Sequence, residues 1–328
     1  MTRRVILLAC LLAWGAQTPL SAYLKFGVRV GGQTVDVKWS GTVPYFITER
    51  GIPNVSATQL RDAVGRAFAS WQAVPDATVR SQFQGMTIAP PGTQDQRTTF
   101  GFLDRPELDR VLAATSFLLD SRTGEIREAD VFFNTRFDWS VAAAGEAGRI
   151  DLESVALHEI GHLLGLGHSA IGETELSPNG RRVIASGAVM FPISFSPGVI
   201  ADRLLQPDDR AGIRDLYPGR QFDQTTSSIS GFVTKGGRGV LGAHAVAINL
   251  RDGTTIGGFT LNAEGEFVIG GVSPGTYLVR VEPLDDADTD SFFSGPIDVD
   301  FQVTYGARIV IAPAGGGADP ITVQVRAK

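Results

Sequence analysis

Residues 158–169 read His-Glu-Ile-Gly-His-Leu-Leu-Gly-Leu-Gly-His-Ser, and this stretch decides how the rest of the chain is interpreted. On a helix, His158 and His162 lie one turn apart on the same face, so both imidazoles can reach one ion. Gly165 is expected to end that helix in a conformation that strains other residues, which lets His168 return as a third ligand. Three neutral nitrogens leave one tetrahedral position of Zn²⁺ open, which is typical of catalytic rather than structural zinc.

Glu159 follows the first of these histidines and can accept a proton without binding the metal. Zinc lowers the pKa of a bound water to about 7, and Glu159 is the predicted general base when that water attacks a carbonyl. The same carboxyl group can then protonate the leaving amine. The alternative is a buried helix whose histidines only make hydrogen bonds. Three of the four histidines of the chain fall in this one stretch, which favours the metal site.

The composition indicates a folded protein of about two domains. The chain has 328 residues, of which 43% are hydrophobic and 20% are charged, so it can form cores and is not disordered. A formal net charge of −6 argues against nucleic acid or an anionic membrane as a partner. Cys10 is the only cysteine, which excludes an intrachain disulfide and a cysteine-based zinc site.

Residues 1–22 are predicted to be a secretory signal peptide. A basic start at Met1–Arg4 is followed by an apolar run over Val5–Ala16 and by small residues near Ala22. This run is too short to span a membrane, and no later transmembrane segment is expected. We therefore expect a secreted or extracellular protein, or a periplasmic or cell-surface one in a bacterium. A lipid anchor at Cys10 is disfavoured because the apolar run before it is short and continues past it.

Hydrophobic periodicity predicts an α+β domain over residues 23–219 and an all-β domain over residues 229–328, joined by a polar linker at 220–228. The first domain alternates strand-like and helix-like segments. Three helices are predicted, over residues 56–73, over residues 152–164 and from Pro207. The last hundred residues contain short strand-like runs between Gly, Pro, Asp and Asn turns, and their pattern fits a β-sandwich with further strands toward the carboxyl terminus.

With Ser169 after the third histidine, the extended motif resembles the metzincin metalloproteases and, within them, the matrixins. Residues 188–192 resemble the matrixin Met-turn, which contains Met190 and Pro192 here. The resemblance implies that the methionine forms a hydrophobic floor beneath the zinc. It covers about residues 35–218 and implies a zincin-like domain with a mixed twisted sheet and three helices.

Residues 205–217 resemble the closing helix of that family, whose acidic pair supports the Met-turn and corresponds here to Asp208 and Asp209. Residues 124–134, followed by Trp139, resemble the edge strand that binds substrate by β-augmentation. The resemblance therefore implies a secreted zinc metalloendopeptidase with protein or peptide substrates. The backbone of residues 192–194 is expected to wall the pocket for the residue after the scissile bond.

The chain departs from the matrixin pattern in its metal and latency features. No histidine lies between Ala22 and His158, so the second, structural zinc of many matrixins is not expected. Without a cysteine after the signal peptide, latency through a cysteine thiolate is not expected either. Calcium is common in the family, and Asp120, Glu125 and Asp130 are candidate ligands, with a solvated turn as the alternative.

Segments between Ile229 and Leu284 resemble the carboxypeptidase regulatory-like β-sandwich, most of all in the Pro-Gly-Thr-Tyr corner at residues 274–277. No residue pattern there suggests catalysis, so an extracellular-matrix or cell-surface ligand is a possible partner of this region. The competing hypothesis is a non-catalytic surface-binding protein that uses the sandwich. The presence of Glu159 argues against this, because a site kept only for structure needs no general base.

Overall fold

The computed structural model describes residues 8–9, 25–177, 180–192, 196–285 and 289–328. Apart from Leu8 and Ala9, the predicted signal peptide lies outside these residues. In chain order, the first part contains β1 Leu8–Ala9, β2 Gly27–Val30, β3 Gln33–Asp36, β4 Val43–Thr48, α1 Ala57–Gln72, β5 Ser81–Thr87, β6 Thr99–Leu103, β7 Ala113–Leu119, β8 Ile126–Asn134, β9 Trp139–Ser140, β10 Ile150–Asp151, α2 Leu152–Leu163, β11 Gly172–Ser177, β12 Gly180–Ser186 and α3 Pro207–Leu216.

The main sheet has the strand order β1-β7-β8-β6-β4-β5. Strands β8, β6, β4 and β5 run parallel, whereas β7 pairs antiparallel with β8. Helix α1 begins at the Ser56 capping box and buries the apolar stripe that its sequence predicts. That stripe consists of Leu60, Val64, Ala67, Phe68 and Trp71. The predicted mixed α+β class is confirmed.

The prediction that residues 124–134 form an edge strand was wrong. Residues 126–134 form β8, which lies between β7 and β6. We call β7 the edge strand on this side of the sheet, because only the two-residue strand β1 lies beyond it. Strands β7 and β8 form a hairpin, and the sequence pattern does not indicate which of them is the outer one. Burial distinguishes them, since β7 alternates buried and half-buried residues while β8 is buried almost throughout.

Helix α2 crosses the core of this first part of the chain. Its amino terminus is capped by the Asp151 carboxylate, which accepts the backbone N–H of Ser154 and two hydrogen bonds from Arg203. At the other end, the last backbone carbonyls of a helix have no partner within the helix. Here the indole N–H of Trp39 donates to the carbonyl of Leu163, and the hydroxyl of Tyr217 donates to that of Leu164. The helix is thereby fixed at both ends.

The remaining elements are α4 Phe222–Thr225, β13 Ser227–Lys235, β14 Arg238–Gly239, β15 His244–Asn249, β16 Thr255–Phe259, β17 Glu266–Val272, β18 Gly275–Glu282, β19 Thr304–Tyr305, β20 Val310–Ala312 and β21 Ile321–Val325. We call residues 227–325 the C-terminal β region. It has one sheet of β14, β13, β17 and β21, and another of β16, β15, β18, β19 and β20. Two such sheets are compatible with the predicted sandwich.

The segment predicted as a linker, residues 220–228, contains α4 and the first residues of β13. Helix α3 packs against β16 and β17, so the C-terminal β region contacts the part of the chain that carries the histidines. No helix among the described residues is both long enough and apolar enough to cross a membrane.

Candidate metal centre and active site

The three predicted ligands converge on one point. His158 and His162 lie on α2, and His168 lies on the segment that follows it. One ring nitrogen from each histidine lies within 4.8 Å of those of the other two, and His162 Nε2 is 3.2 Å from His168 Nε2. Two nitrogens bound to one tetrahedral zinc at about 2.0–2.1 Å would be about 3.3 Å apart, so the separation of His162 Nε2 and His168 Nε2 fits that ion.

Gly165 makes the return of His168 possible. Its φ is +105°, in the left-handed region, and a Cβ at this position would lie 2.0 Å from the carbonyl oxygen of Val37. Only glycine avoids both the strain and this collision. The chain can therefore turn immediately after α2, as the sequence predicts, and bring the third imidazole to the other two.

Backbone carbonyls fix the orientation of all three rings. The Nδ1 atoms of His158 and His162 lie 2.7 Å from the oxygen of Val189 and 2.8 Å from that of Leu166. The third Nδ1, that of His168, lies 2.7 Å from the carbonyl oxygen of Ser291. A carbonyl can only accept, so each Nδ1 donates its proton and each Nε2 keeps a lone pair. Three Nε2 lone pairs facing one point form a donor set that suits zinc.

Burial keeps these imidazoles neutral. Desolvation, with the neighbouring His168 as a second cause, lowers the pKa of His158 to about 3. Burial also lowers the pKa of His162 well below its usual value, and that of His168 to a smaller extent. A neutral imidazole is the form that binds a metal ion, so these rings need not lose a proton at pH 7.

Glu159 is buried on α2 beside this group, and a residue that the sequence analysis did not identify holds its side chain. The hydroxyl of Thr115, on β7, donates to Glu159 Oε2 across 2.7 Å. Burial raises the pKa of Glu159 to about 7, while the hydrogen bond from Thr115 opposes the rise. A carboxyl group with a pKa near the working pH can both accept and return a proton.

The predicted Met-turn lies directly under α2. Met190 is buried, and a Cβ at Gly161 would lie 2.2 Å from its Sδ atom, so the glycine lets the thioether approach the helix closely. The Asp209 carboxylate accepts the backbone N–H groups of Val189, at 2.8 Å, and Met190, at 3.0 Å. Burial raises the pKa of Asp209 to about 7. Because the Val189 carbonyl accepts the Nδ1 proton of His158, hydrogen bonds through the turn connect Asp209 with this imidazole.

Asp208, the other member of the acidic pair, has a different set of contacts. It accepts a hydrogen bond from the Ser169 hydroxyl at 2.5 Å and one from the backbone N–H of Gly257, in β16, at 2.7 Å. Burial raises its pKa. Pro192 is the last residue of the predicted Met-turn and is half-buried. Of residues 192–194, which were expected to wall the substrate pocket, residues 193 and 194 lie outside the described residues.

The three candidate calcium ligands do not form one group. Asp120 and Glu125 lie in the turn between β7 and β8, where Arg127 contacts both carboxylates. Asp130 lies further along β8, is buried, and accepts the backbone N–H groups of Gly92 and Thr99. Within the described part of the chain, the only cluster of at least three potential metal ligands is the one formed by the three histidines. Calcium binding stays a prediction.

Residues that sequence reasoning missed reach the site from distant parts of the chain. Besides Thr115, these include Ser291, through its carbonyl, and Phe26, whose ring lies 5.8 Å from that of His162. Phe26 is held there by its own N–H, which donates to the carbonyl of Gly165. None of the three belongs to a local motif, so spacing along the sequence offers no signal for them.

Comparison with known proteins agrees with the geometry. The Matrixin family model, Peptidase_M10, matches residues 38–218, which is more than half of the chain. The hatching enzyme of the sea urchin Paracentrotus lividus is 26% identical over 202 residues, covering 60% of this chain. Karilysin of Tannerella forsythia is 24% identical over 217 residues, also 60% of this chain. Metalloendoproteinase 5-MMP of Arabidopsis thaliana is 41% identical over 92 residues, 25% of this chain.

These matches span only part of the relatives. They cover 29% of the hatching enzyme, 38% of karilysin and 20% of the Arabidopsis protein. The family model includes the helix with two of the histidines, the third histidine, the Met-turn and the acidic pair. It ends before the C-terminal β region begins.

Proposed function

Because the chain belongs to the matrixin family, whose members are zinc metalloendopeptidases, we propose that it hydrolyses peptide bonds at the centre formed by its three clustered histidines. One observation carries the proposal. The Nε2 atoms of His158, His162 and His168 face one point with their Nδ1 atoms already bound, and a buried glutamate lies next to the first of them. Such an arrangement binds zinc and leaves a position for substrate or water.

In the proposed hydrolysis, the zinc ion and Glu159 have different roles. When bound, zinc supplies a Lewis acid that polarises a water molecule and the substrate carbonyl. Glu159 accepts the proton of the attacking water, and its Oε1 atom serves for this because Thr115 holds Oε2. The same carboxyl group then donates the proton to the nitrogen of the departing amine. Burial raises the pKa of Glu159 and so favours the return of the proton to the amine.

The peptide substrate is proposed to bind along β7. Only the two-residue strand β1 lies beyond β7 in the main sheet, where Leu8 and Ala9 pair antiparallel with Phe117 and Ser116. The rest of the outer side of β7 has no strand paired with it among the described residues. Main-chain hydrogen bonds at such an edge bind an extended peptide whatever its side chains. Thr115 lies in the same strand, so a peptide aligned on β7 would pass close to Glu159.

We also propose that the protein is exported and that its C-terminal β region binds a ligand outside the cell. The basic start and the apolar run before residue 22 support secretion, and the C-terminal β region is proposed as a regulatory-like sandwich that binds an extracellular-matrix or cell-surface ligand. Residues 23–219 are proposed as the catalytic domain. Met190, Pro192, Asp208 and Asp209 are proposed to support its metal site.

Metal analysis combined with a hydrolysis assay tests this function. The purified full chain should contain about one zinc ion per molecule and should cleave casein or a fluorescence-quenched peptide. A chelator should abolish cleavage, and added zinc should restore it. A chain that binds no zinc, or one that cleaves equally well without metal, would refute the proposal. Binding to a surface ligand without any hydrolysis would instead support the non-catalytic alternative.

A further inference from the structure

We propose that the C-terminal β region completes the metal centre, because the segment at residues 289–293 positions His168 through the carbonyl of Ser291 and the ring of Phe292. This inference rests on the proposed zinc site. The C-terminal β region would then contribute to metal binding, in addition to its proposed role of binding a surface ligand. Ser291 and Phe292 are positioning residues, since they act on the ligand and not on substrate.

His168 needs such a partner more than the other two ligands do. His158 and His162 project from α2, whose backbone limits their rotamers, and their Nδ1 atoms bind carbonyls of the matrixin-like part of the chain. His168 lies beyond the end of that helix. Its Nδ1 atom binds Ser291, which is 123 residues away in the sequence, and Phe292 packs against its ring with the centroids 6.1 Å apart at 70°.

The segment that contributes these contacts is itself firmly anchored. A short helical turn at Thr289–Ser291 is closed by the backbone N–H groups of Phe292 and Phe293, which both donate to the carbonyl of Thr289. The rings of Phe292 and Phe293 then pack on Phe259, with centroids 5.6 Å and 5.5 Å from it. Phe259 is almost fully buried in β16, so the position of the Ser291 carbonyl is set by a packed core.

Strand β16 is also connected to the residues that follow His168 in the sequence. Ala170, two residues after His168, belongs to the apolar cluster that contains Phe259 and Phe292. Gly257, two residues before Phe259 in β16, donates its N–H to the Asp208 carboxylate, which also accepts the hydroxyl of Ser169. Strand β16 is therefore connected to this segment in two ways. Gly257 binds Asp208, which binds Ser169 next to His168. Phe259 packs on Phe292, whose ring packs on the imidazole of His168.

The expected consequence is measurable in metal affinity. Loss of a partner that orients a metal-binding histidine typically weakens metal affinity by about 10- to 100-fold. In this chain that loss would follow from a change more than a hundred residues away, outside the matrixin match at 38–218.

The experiment compares full-length variants at two neighbouring aromatic residues. Phe292→Ala removes the ring that packs on His168 and loosens the Ser291 carbonyl. Phe293→Ala is the matched control, because it removes the same volume from the same turn and also loses contact with Phe259. Phe292→Tyr keeps the ring, and Phe292→Leu is a milder truncation if the alanine variant does not fold. Zinc dissociation constants are measured by competition with a chromophoric chelator, and the ligand geometry by the visible spectrum of the cobalt-substituted protein.

We expect Phe292→Ala to weaken zinc binding by about 10- to 100-fold and to change the cobalt spectrum, whereas Phe292→Tyr keeps both near wild type. Phe293→Ala loosens the same turn but leaves the Phe292 ring on His168, so its effect on both should be clearly smaller. Melting temperatures of the metal-free proteins show whether the two alanine variants lose similar stability. Wild-type affinity and spectrum in folded Phe292→Ala, or in Phe292→Leu, would overturn the inference, as would equal losses in Phe293→Ala. If instead the wild type binds no zinc, or binds it without hydrolysis, the proposed function fails.

Discussion

The hydroxyl of Thr115 donates a hydrogen bond to the Oε2 atom of Glu159 across 2.7 Å, within the protein core. Thr115 lies on the edge strand β7 and Glu159 lies on α2, so one bond connects the proposed substrate-binding strand with the proposed general base. Burial raises the pKa of Glu159 to about 7, and the bond limits this rise because it stabilises the charged carboxylate. Thr115 thus positions the Glu159 carboxyl group, the proposed general base, and lowers its pKa.

Replacing Thr115 with valine should move the acid limb of kcat/KM to higher pH. Valine keeps the branched shape but removes the donor, so the carboxylate loses stabilisation and a larger fraction of Glu159 is protonated at a given pH. We expect the rate at pH 6 to fall by about 2- to 10-fold, as for one hydrogen bond. The measurement is the pH profile of kcat/KM on a quenched peptide. Thr115→Ser, which keeps the hydroxyl, should retain the wild-type profile, and a Thr115→Val profile identical to wild type would contradict this role.

The local part of the site could be predicted from sequence. Two histidines one helical turn apart, the glutamate between them and the glycine that turns the chain are near neighbours, so short-range geometry determines their arrangement. The structure brings His158, His162 and His168 together as expected. It also places Asp209 on the Met-turn, as the resemblance implied.

The contacts between distant segments could not be predicted in this way. Thr115 reaches Glu159 through sheet and helix packing, and Ser291 acts through a carbonyl that every residue type has. The edge position of β7 depends on which hairpin strand pairs with β6, which alternation does not specify. The short helix at Phe222–Thr225 lies where a polar composition suggested a linker.

Removal of the Asp209 carboxylate should weaken both the fold and the metal site. Asp209 accepts the backbone N–H groups of Val189, Met190 and Gln206, of which the first two are buried and the third is half-buried. Asp209→Ala would leave these donors without their acceptor. We expect the free energy of unfolding of the zinc-free protein to fall by about 2–4 kcal/mol, measured by urea denaturation. Zinc affinity should fall as well, since Val189 orients His158.

The control for Asp209→Ala is Asp223→Ala, at an exposed position in α4. This variant should leave the free energy of unfolding within about 0.5 kcal/mol of wild type. Equal stability of the two variants would show that the carboxylate of Asp209 does not hold the Met-turn.

Asp130 should make the stability of the zinc-free protein depend on pH. Burial raises its pKa to about 7, against about 3.9 for an aspartate in an unfolded chain. The folded state therefore holds this proton more tightly, and the stabilisation is complete below about pH 4 and lost as the pH rises through 7. Asp130→Asn cannot ionise, so its stability relative to wild type should improve between pH 4.5 and pH 7.5, by about 1–4 kcal/mol.

Urea denaturation of both proteins at several pH values, in the presence of a chelator, gives this difference. Asp319→Asn, at an exposed position near the carboxyl terminus, controls for the loss of one negative charge. A difference between Asp130→Asn and wild type that stays constant over this range, or that changes in the opposite direction, would mean that Asp130 is ionised in the folded protein throughout.

The most direct test of the central claim is the hydrolysis rate of Glu159→Gln at a zinc content equal to that of the wild type. Glutamine has nearly the same shape but cannot accept the proton of the attacking water, and the three histidines that would hold zinc are unchanged. We expect about one zinc per chain in both proteins and a hydrolysis rate on a quenched peptide that is about 10²- to 10⁴-fold lower in the variant. Comparable rates for the two proteins at equal zinc content would contradict the central claim.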